Sequence, residues 1–470
     1  MIWSNRFTQI ALSFIFLVLF INFVLYPQYL MPLGILLFGI VVILLFYVGL
    51  NYYSKRWINI NAKSFKKSLF ITSFFIRAIF LICMLLLIYF VDTKSYPYEI
   101  GGGEDSKYYH AAASDVADNI FSGDLSKTLQ KWYEQKGDFG YPTYLGFLYH
   151  FLGKDSILIR FISLLFSSLT VVLIYLLARN IYNEKVARFA GILTMLMPAL
   201  LWYDTVLLKE SVMIFLVFLC LYSISEIVLS GRFKINYIIM ASISMFLLFF
   251  FRAVMAWLII FTAIFYFLLN FSNRKISRST VFVAFLILIM IISFLVLQSG
   301  SLDELKTLVK QSETQLENEL VYSALSRGVS YNMVLVIPFL FVGAIVTPFP
   351  SIMYFDSGQL PMVSHFFNEL VRNSLYFFAF IGILFSYKKR FKESSLLLFF
   401  TLGYIAILAY SGKSFQDRFQ LPSLPGMLIL ISAGLAHGHV YFKRWKLYLV
   451  GMAVAIVLWQ LFKLKIRGLL

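Results

Sequence analysis

Residues 157–178 read ILIRFISLLFSSLTVVLIYLLA, an apolar run interrupted by a single charge, Arg160. As an α-helix such a run rises about 33 Å, and the hydrocarbon of a bilayer is about 30 Å thick. Asp155 stands just before it and Arg179 just after, so one membrane crossing with polar ends accounts for the whole stretch. Outward from it in both directions, similar runs recur near 7–26, 30–50, 69–91, 188–203, 211–229, 237–251, 254–271, 280–297, 366–386, 395–410, 420–437 and 447–462. The 470-residue chain is 60% hydrophobic, 19% aromatic and 13% charged, whereas soluble domains carry roughly 25% charge. The fold class that follows is all-α, a polytopic transmembrane helical bundle of about thirteen spans with amphipathic interfacial helices outside it.

The net charge of +17 is unevenly placed. Six connections, around 55–67, 179–188, 232–234, 274–278, 388–393 and 443–446, hold 20 basic residues against two acids, Glu184 and Glu393. Excess Lys and Arg mark cytoplasmic loops, so these six face the cytoplasm and no nucleic-acid partner is called for. The run 332–348, with Pro338, Pro348 and Pro350 in or beside it, is expected to dip in and return, because a full crossing would put the basic loop 387–393 outside. Five divisions result: 1–91 with three spans, 92–156 as a catalytic external loop, 157–297 with further spans, 298–365 as a second external loop plus the re-entrant segment, and 366–470 with the last spans. The start, MIWSNR and an apolar run to Tyr26, reads as an uncleaved first span. Abundant Ile, Phe, Lys and Asn suggest an AT-rich bacterial genome, hence a bacterial inner membrane. Cys83 and Cys220 lie in apolar runs and indicate neither a disulfide framework nor a thiolate metal site.

The loop 92–156 carries ten acids and six basic residues. Within it GGGEDSKYYHAA, residues 101–112, places Glu104 and Asp105 beside a glycine turn and ahead of Tyr108, Ala112, Val116 and Ile120, which recur every fourth residue. That spacing predicts a helix along the membrane surface, and the two acids either start it, where negative charge suits the helix dipole, or do chemistry. A second amphipathic stretch has Leu125, Leu129 and Trp132, and GYPTYLGFLYHFLG at 140–153 is too short to span.

Charged residues near the external ends of spans tend to mark substrate paths. Arg160, Lys209, Glu210, Arg252, Arg327, Arg372, Lys413 and Arg418 qualify. Arg252 falls where an external turn is expected. Arg160 could snorkel to the interface, and Arg418 could pair locally with Asp417. Arg77, deeper in its span, is expected to snorkel or to make a packing hydrogen bond. Mg or Mn at Glu104 and Asp105 is a candidate cofactor because hard cations favour carboxylate oxygens, although two adjacent acids define no third ligand.

Four stretches resemble the GT-C class of polytopic glycosyltransferases, in particular the branch of protein O-mannosyltransferases and lipid A aminoarabinose transferases. They are Glu104-Asp105-Ser-Lys-Tyr108-Tyr-His-Ala-Ala112; Tyr141-Pro142 through Gly153 and Arg160 to Tyr175-Leu-Leu-Ala-Arg179; Ala187-Arg-Phe-Ala190-Gly191 to Met197-Pro198; and Arg418-Phe-Gln-Leu-Pro422-Ser-Leu-Pro425. Relatives usually begin the acidic pair with Asp where this chain has Glu104. The resemblance implies an inverting enzyme that moves a sugar from a polyprenyl-phosphate donor to a glycan, lipid or protein acceptor on the external face. The residue chemistry agrees: Glu104 or Asp105 as general base, with Glu104 favoured; Arg418, and after it Lys413, Arg252 and Lys209, on the carrier phosphate; Tyr108 and Tyr141 walling the sugar; Arg160 and Glu210 lining the site. The alternatives are a glycan polymerase or ligase using lipid-linked oligosaccharide, and a lipid-linked-sugar flippase or other transporter.

Overall fold

The computed structural model describes residues 3–27, 33–57, 59–98, 104–121, 124–136, 140–230, 234–270, 333–346, 363–411, 417–437 and 441–466. Among them the regular structure is helical, with no strand. Three long helices, α1 (Asn5–Leu25), α2 (Leu33–Arg56) and α3 (Ala62–Val91), lead to three short ones, α4 (Glu104–Asn119), α5 (Leu125–Lys136) and α6 (Gly140–Leu152). Then come α7 (Ser156–Ile181), α8 (Glu184–Leu196), α9 (Pro198–Asp204), α10 (Glu210–Ser230) and α11 (Ile235–Asn270). The last group is α12 (Met333–Val346), α13 (Val363–Lys389), α14 (Phe391–Tyr410), α15 (Asp417–Gln420), α16 (Leu424–His437) and α17 (Phe442–Ile466).

Local chemistry sets the helix starts. The Asn61 side chain accepts from Ser64 N at 2.8 Å, Asp155 from Ile157 N at 2.8 Å, and Asn183 from Val186 N at 3.0 Å. Each satisfies a backbone donor that the first turn leaves without a partner. Pro198 opens α9 and bends it 51° from α8, since proline has no N–H for the carbonyl of Thr194.

Nine of these helices are long and apolar enough to cross a membrane, ten if α8 and α9 count as one bent span. The protein is thus an all-α bundle of membrane-spanning helices. The central one is α10, whose apolar window is 72% buried, while those of α1, α3 and α17 are 33% buried and turn side chains such as Phe20, Phe75, Ile79 and Leu447 outward. Outward apolar surface of this extent needs lipid around it.

The expected runs 237–251 and 254–271 are the two arms of α11, which loses helical geometry at Arg252 (φ −169°, ψ 96°). Lys234, just before the first arm, lies 4.0 Å from Glu226, and Asn180 donates to that same Glu226 at 2.8 Å. Tyr182 bonds Ser386, and Asn270, the last residue of the second arm, donates to the Lys392 carbonyl at 2.9 Å. Both ends of α11 therefore sit at the basic end of the bundle, and Arg252 marks a turn at the other end. Within 332–348, Met333–Val346 form a 14-residue helix around Pro338, and 420–437 contributes the 14-residue α16; at about 21 Å each is shorter than the hydrocarbon of a bilayer. The run 280–297 and the loop 298–332 lie outside the described residues, as does the return limb after 346.

Packing of α13 on α16 depends on absent side chains. A Cβ on Gly382 would stand 1.9 Å from the Leu430 carbonyl oxygen, and one on Gly434 would stand 1.9 Å from that of Phe378. Small residues bring two backbones this close where no hydrophobic effect drives helices together. This contact carries α15, which precedes α16, to the end of the bundle where α4, α6, α10 and the α11 turn meet.

Candidate active site

The helices α4, α5 and α6 close this end of the bundle. Ala112 and Val116 of α4 are buried, and so is Ile120, just past its end. A Cβ on Gly146 of α6 would meet Val116 at 2.4 Å. The fourfold spacing noted in the sequence thus becomes the α4–α6 contact. Tyr108 donates to the Trp132 carbonyl at 2.7 Å, and the Trp132 indole donates to Asp115 at 3.1 Å, which pins α5 to α4. Gly140 lets α6 approach the α11 turn, because a Cβ there would lie 2.2 Å from the Phe250 carbonyl oxygen.

Arg418 joins three of these elements. Its Nε donates to Glu210 Oε1 at 2.6 Å, and its Nη1 donates to Asp105 Oδ2. Glu210 is 2% exposed and Arg418 is 23% exposed, so this pair is well withdrawn from solvent while the arginine keeps an open side. Among the described residues Nη2 of Arg418 and Oε2 of Glu210 have no hydrogen-bond partner. Burial opposes the charge on Arg418, and Glu210 and Asp105 outweigh it, so the guanidinium is held more firmly protonated than usual.

The local alternative for Arg418 does not occur. Asp417 turns away from it to Arg372, 3.1 Å off, and Arg372 also donates to Glu369 at 2.8 Å, to Gln420 and to the Tyr376 hydroxyl at 2.9 Å. This buried set fixes the one-turn helix α15 from below and points Arg418 the other way. Beside it, the Arg252 guanidinium lies 5.2 Å from the centroid of Phe419, so the α11 turn holds α15 by a cation–π contact.

Tyr141 is fully buried, edge-on to Tyr109 at 4.9 Å and 6.1 Å from Phe251, with no partner for its hydroxyl among the described residues. Burial pushes its pKa well up, with Tyr144 and Glu210 adding to the effect, so the phenol stays neutral. Arg160 is buried in electrostatic range of Tyr141, Tyr149, Tyr98 and His110 and does not snorkel. Lys209 is half-buried in the turn before Glu210. Glu104 is the first residue of α4, and its side chain, like Lys413 and Arg327, lies outside the described residues. Of the predicted set, Asp105, Tyr141, Glu210, Arg252 and Arg418 come together, and Tyr108 faces α5.

Residues 141–297 match the family model described as dolichyl-phosphate-mannose-protein mannosyltransferase. This is a GT-C type family, and the similarity covers a third of the chain, including Tyr141, Arg160, Lys209, Glu210 and Arg252. Asp105 and Arg418 lie outside the match. No curated protein matches the chain. What the chain is similar to, over the segment that supplies one wall of the site, is thus a membrane glycosyltransferase family.

Two features were missed from sequence. Asp204 pairs with Arg77, Oδ2 to Nε at 2.8 Å, and an acid ending an apolar run was the available signal. Tyr404 of α14 is buried with a hydroxyl that has no partner among the described residues, and no sequence pattern marks it. Among the described residues no group of three or more His, Cys, Asp and Glu could hold a metal ion.

Proposed function

We propose that the protein is an inverting glycosyltransferase that takes a sugar from a polyprenyl-phosphate carrier and transfers it to an acceptor hydroxyl on the external face of a bacterial cytoplasmic membrane. The observation that carries this reading is Arg418, withdrawn from water, held by Asp105 and Glu210 and open at Nη2. A guanidinium in that state suits a phosphate oxygen, because its fork holds ligands on separate nitrogens in fixed geometry.

The arrangement supports Asp105 as the general base. In an in-line displacement the base and the leaving oxygen stand about 7 Å apart. One guanidinium can bridge that separation with the carboxylate on one nitrogen and a phosphate oxygen on the next. Asp105 accepts the proton of the acceptor hydroxyl, the new bond forms at the anomeric carbon, and the carrier phosphate leaves with its charge stabilised by Arg418. Arg252, a turn away beside Phe419, adds positive field for the same phosphate. Glu104, next along the chain, is the second candidate base. The carrier's apolar tail stays in lipid, and the acceptor is a glycan, a lipid or a protein.

The experiment is transfer from labelled polyprenyl-phosphate sugars to candidate acceptors by purified protein in lipid, with and without chelator. Release of sugar-free carrier in step with product is expected, and carrier that crosses the bilayer without losing its sugar would favour a flippase instead. For sidedness, a cysteine at Asp118 is expected to label from outside and one at Asn61 only after permeabilisation. Equal labelling would reverse the assignment drawn from the loop charges.

A further inference from the structure

Three polar atoms at and around Glu210, the buried partner of Arg418, are left without partners among the described residues although their side chains are almost completely buried: Glu210 Oε2, the Tyr141 hydroxyl and the Tyr404 hydroxyl. Buried polar groups are nearly always hydrogen-bonded, so each of these calls for a partner that the described residues do not supply. They come from three different helices. Phe400, one turn before Tyr404 on α14, meets Phe218 of α10 with ring centroids 6.3 Å apart. A Cβ on Gly403 would lie 3.1 Å from Leu258 in the second arm of α11. Tyr404 accordingly stands between α10 and that arm, in electrostatic range of both Glu210 and Arg252, and Tyr141 is in range of Glu210 from the α6 side.

We infer that Glu210 Oε2 and the hydroxyls of Tyr141 and Tyr404 form the hydrogen-bond set for the hydroxyls of a sugar ring without negative charge, with Tyr404 as a specificity-determining residue. This rests on the glycosyl transfer proposed above. The donor and acceptor inventory decides the ligand class. An ionised carboxylate oxygen only accepts, whereas a phenol donates or accepts. A sugar ring offers several hydroxyls that do both and can satisfy all three atoms. A phosphate dianion or a uronic acid offers no donor to Glu210 Oε2 and is repelled by it, so the phosphate belongs on the Arg418 side and uronic sugars are excluded.

The test uses the full chain in lipid nanodiscs and the variant Tyr404→Phe, which removes the hydroxyl and keeps the ring. KM for a polyprenyl-phosphate hexose should rise about 10-fold. Inhibition by sugar-free polyprenyl phosphate should stay at its wild-type strength, and the melting temperature without substrate should hold or rise, because an unpaired buried hydroxyl has been removed. Unchanged KM, or equal weakening of the hexose donor and the sugar-free carrier, would overturn the inference. A lower melting temperature with unchanged KM would identify an ordered water as the partner and would overturn it too. If the wild type binds neither compound, glycosyl transfer itself fails, an outcome distinct from binding that Tyr404→Phe leaves untouched.

Discussion

Arg77 and Arg418 are both arginines drawn out of water by helix packing, and they are completed differently. Arg77, 1% exposed, gives Nε to Asp204 at 2.8 Å, Nη1 to Ser73 at 2.6 Å and to the Met195 carbonyl at 3.3 Å, and Nη2 to the Thr194 carbonyl at 3.5 Å. Asp204 takes a further bond from Ser211 at 2.9 Å. The Thr194 carbonyl is one that Pro198 leaves without its helical donor, so Arg77 repairs the break between α8 and α9. At Arg418 the same kind of side chain has two acids on two nitrogens and, among the described residues, a third nitrogen unused and an orphaned acceptor beside it. A complete set of partners is what holding a bend requires. An incomplete set, at a side chain this far withdrawn from water, is what a ligand completes.

The sharpest way to break this contrast is the carboxylate at the open cluster. Asp105→Asn keeps shape and hydrogen bonding but removes the base, and general-base loss typically costs about 10²–10⁴ in rate. We expect kcat for transfer to fall by that factor with donor binding and melting temperature near wild type, and Glu104→Gln to fall less. Normal turnover by Asp105→Asn would make Arg418 a second Arg77, a structural tie and nothing more.

The reverse experiment sits in the core. Arg77→Ala leaves Asp204 buried without its cation, and breaking a buried pair in this way costs about 3–5 kcal/mol. Thermal unfolding should show that loss, while the fraction that remains folded should keep its KM for donor. A variant with wild-type stability and impaired transfer would place Arg77 in the substrate path.

Arg418→Lys tests the open nitrogen more gently. Lysine keeps the charge that Glu210 needs but has no planar fork to hold Asp105 and phosphate at once. A charged hydrogen bond is worth about 1.5–3 kcal/mol, so donor affinity should drop about 10- to 100-fold. Alanine is the less informative choice here. From sequence, the structural partner on offer for Arg418 is the local Asp417, but its ion pair with the distant, buried Glu210 means that Arg418→Ala also costs stability.

That revision shows where sequence reading stops. Apolar runs of bilayer length fix each crossing locally, so α1, α2, α3, α7 and α10 fall where hydropathy puts them, and the α4 stripe of Ala112, Val116 and Ile120 is buried as its spacing requires. Arg252 was legible as a turn because a charge interrupts hydrocarbon. The partners of Arg418 were not, since Glu210 and Asp105 lie 208 and 313 residues away along the chain. Tyr404 was invisible for another reason: what sets it apart is a missing hydrogen bond, which exists only after α10, α11 and α14 have packed.

Tyr108 gives the smallest expected effect and places the edge of the open cluster. From sequence it is assigned, with Tyr141, to a wall of the sugar site, yet its hydroxyl already donates to the Trp132 carbonyl at 2.7 Å, and its ring meets Trp132 edge-on at 5.3 Å. A hydroxyl satisfied inside the protein resembles Arg77 more than it resembles Tyr141 or Tyr404. Tyr108→Phe should therefore cost about 0.5–1.5 kcal/mol, the net worth of one such bond. The loss should appear as faster hydrogen exchange or proteolysis across 125–136, where α5 is held to α4 by this contact. Donor KM and kcat should each stay within about twofold, well under the tenfold that corresponds to one neutral hydrogen bond to substrate at 1.4 kcal/mol. A tenfold rise in KM with α5 still protected would move Tyr108 inside the site and extend the sugar-binding surface from the α10–α14 side across to α4.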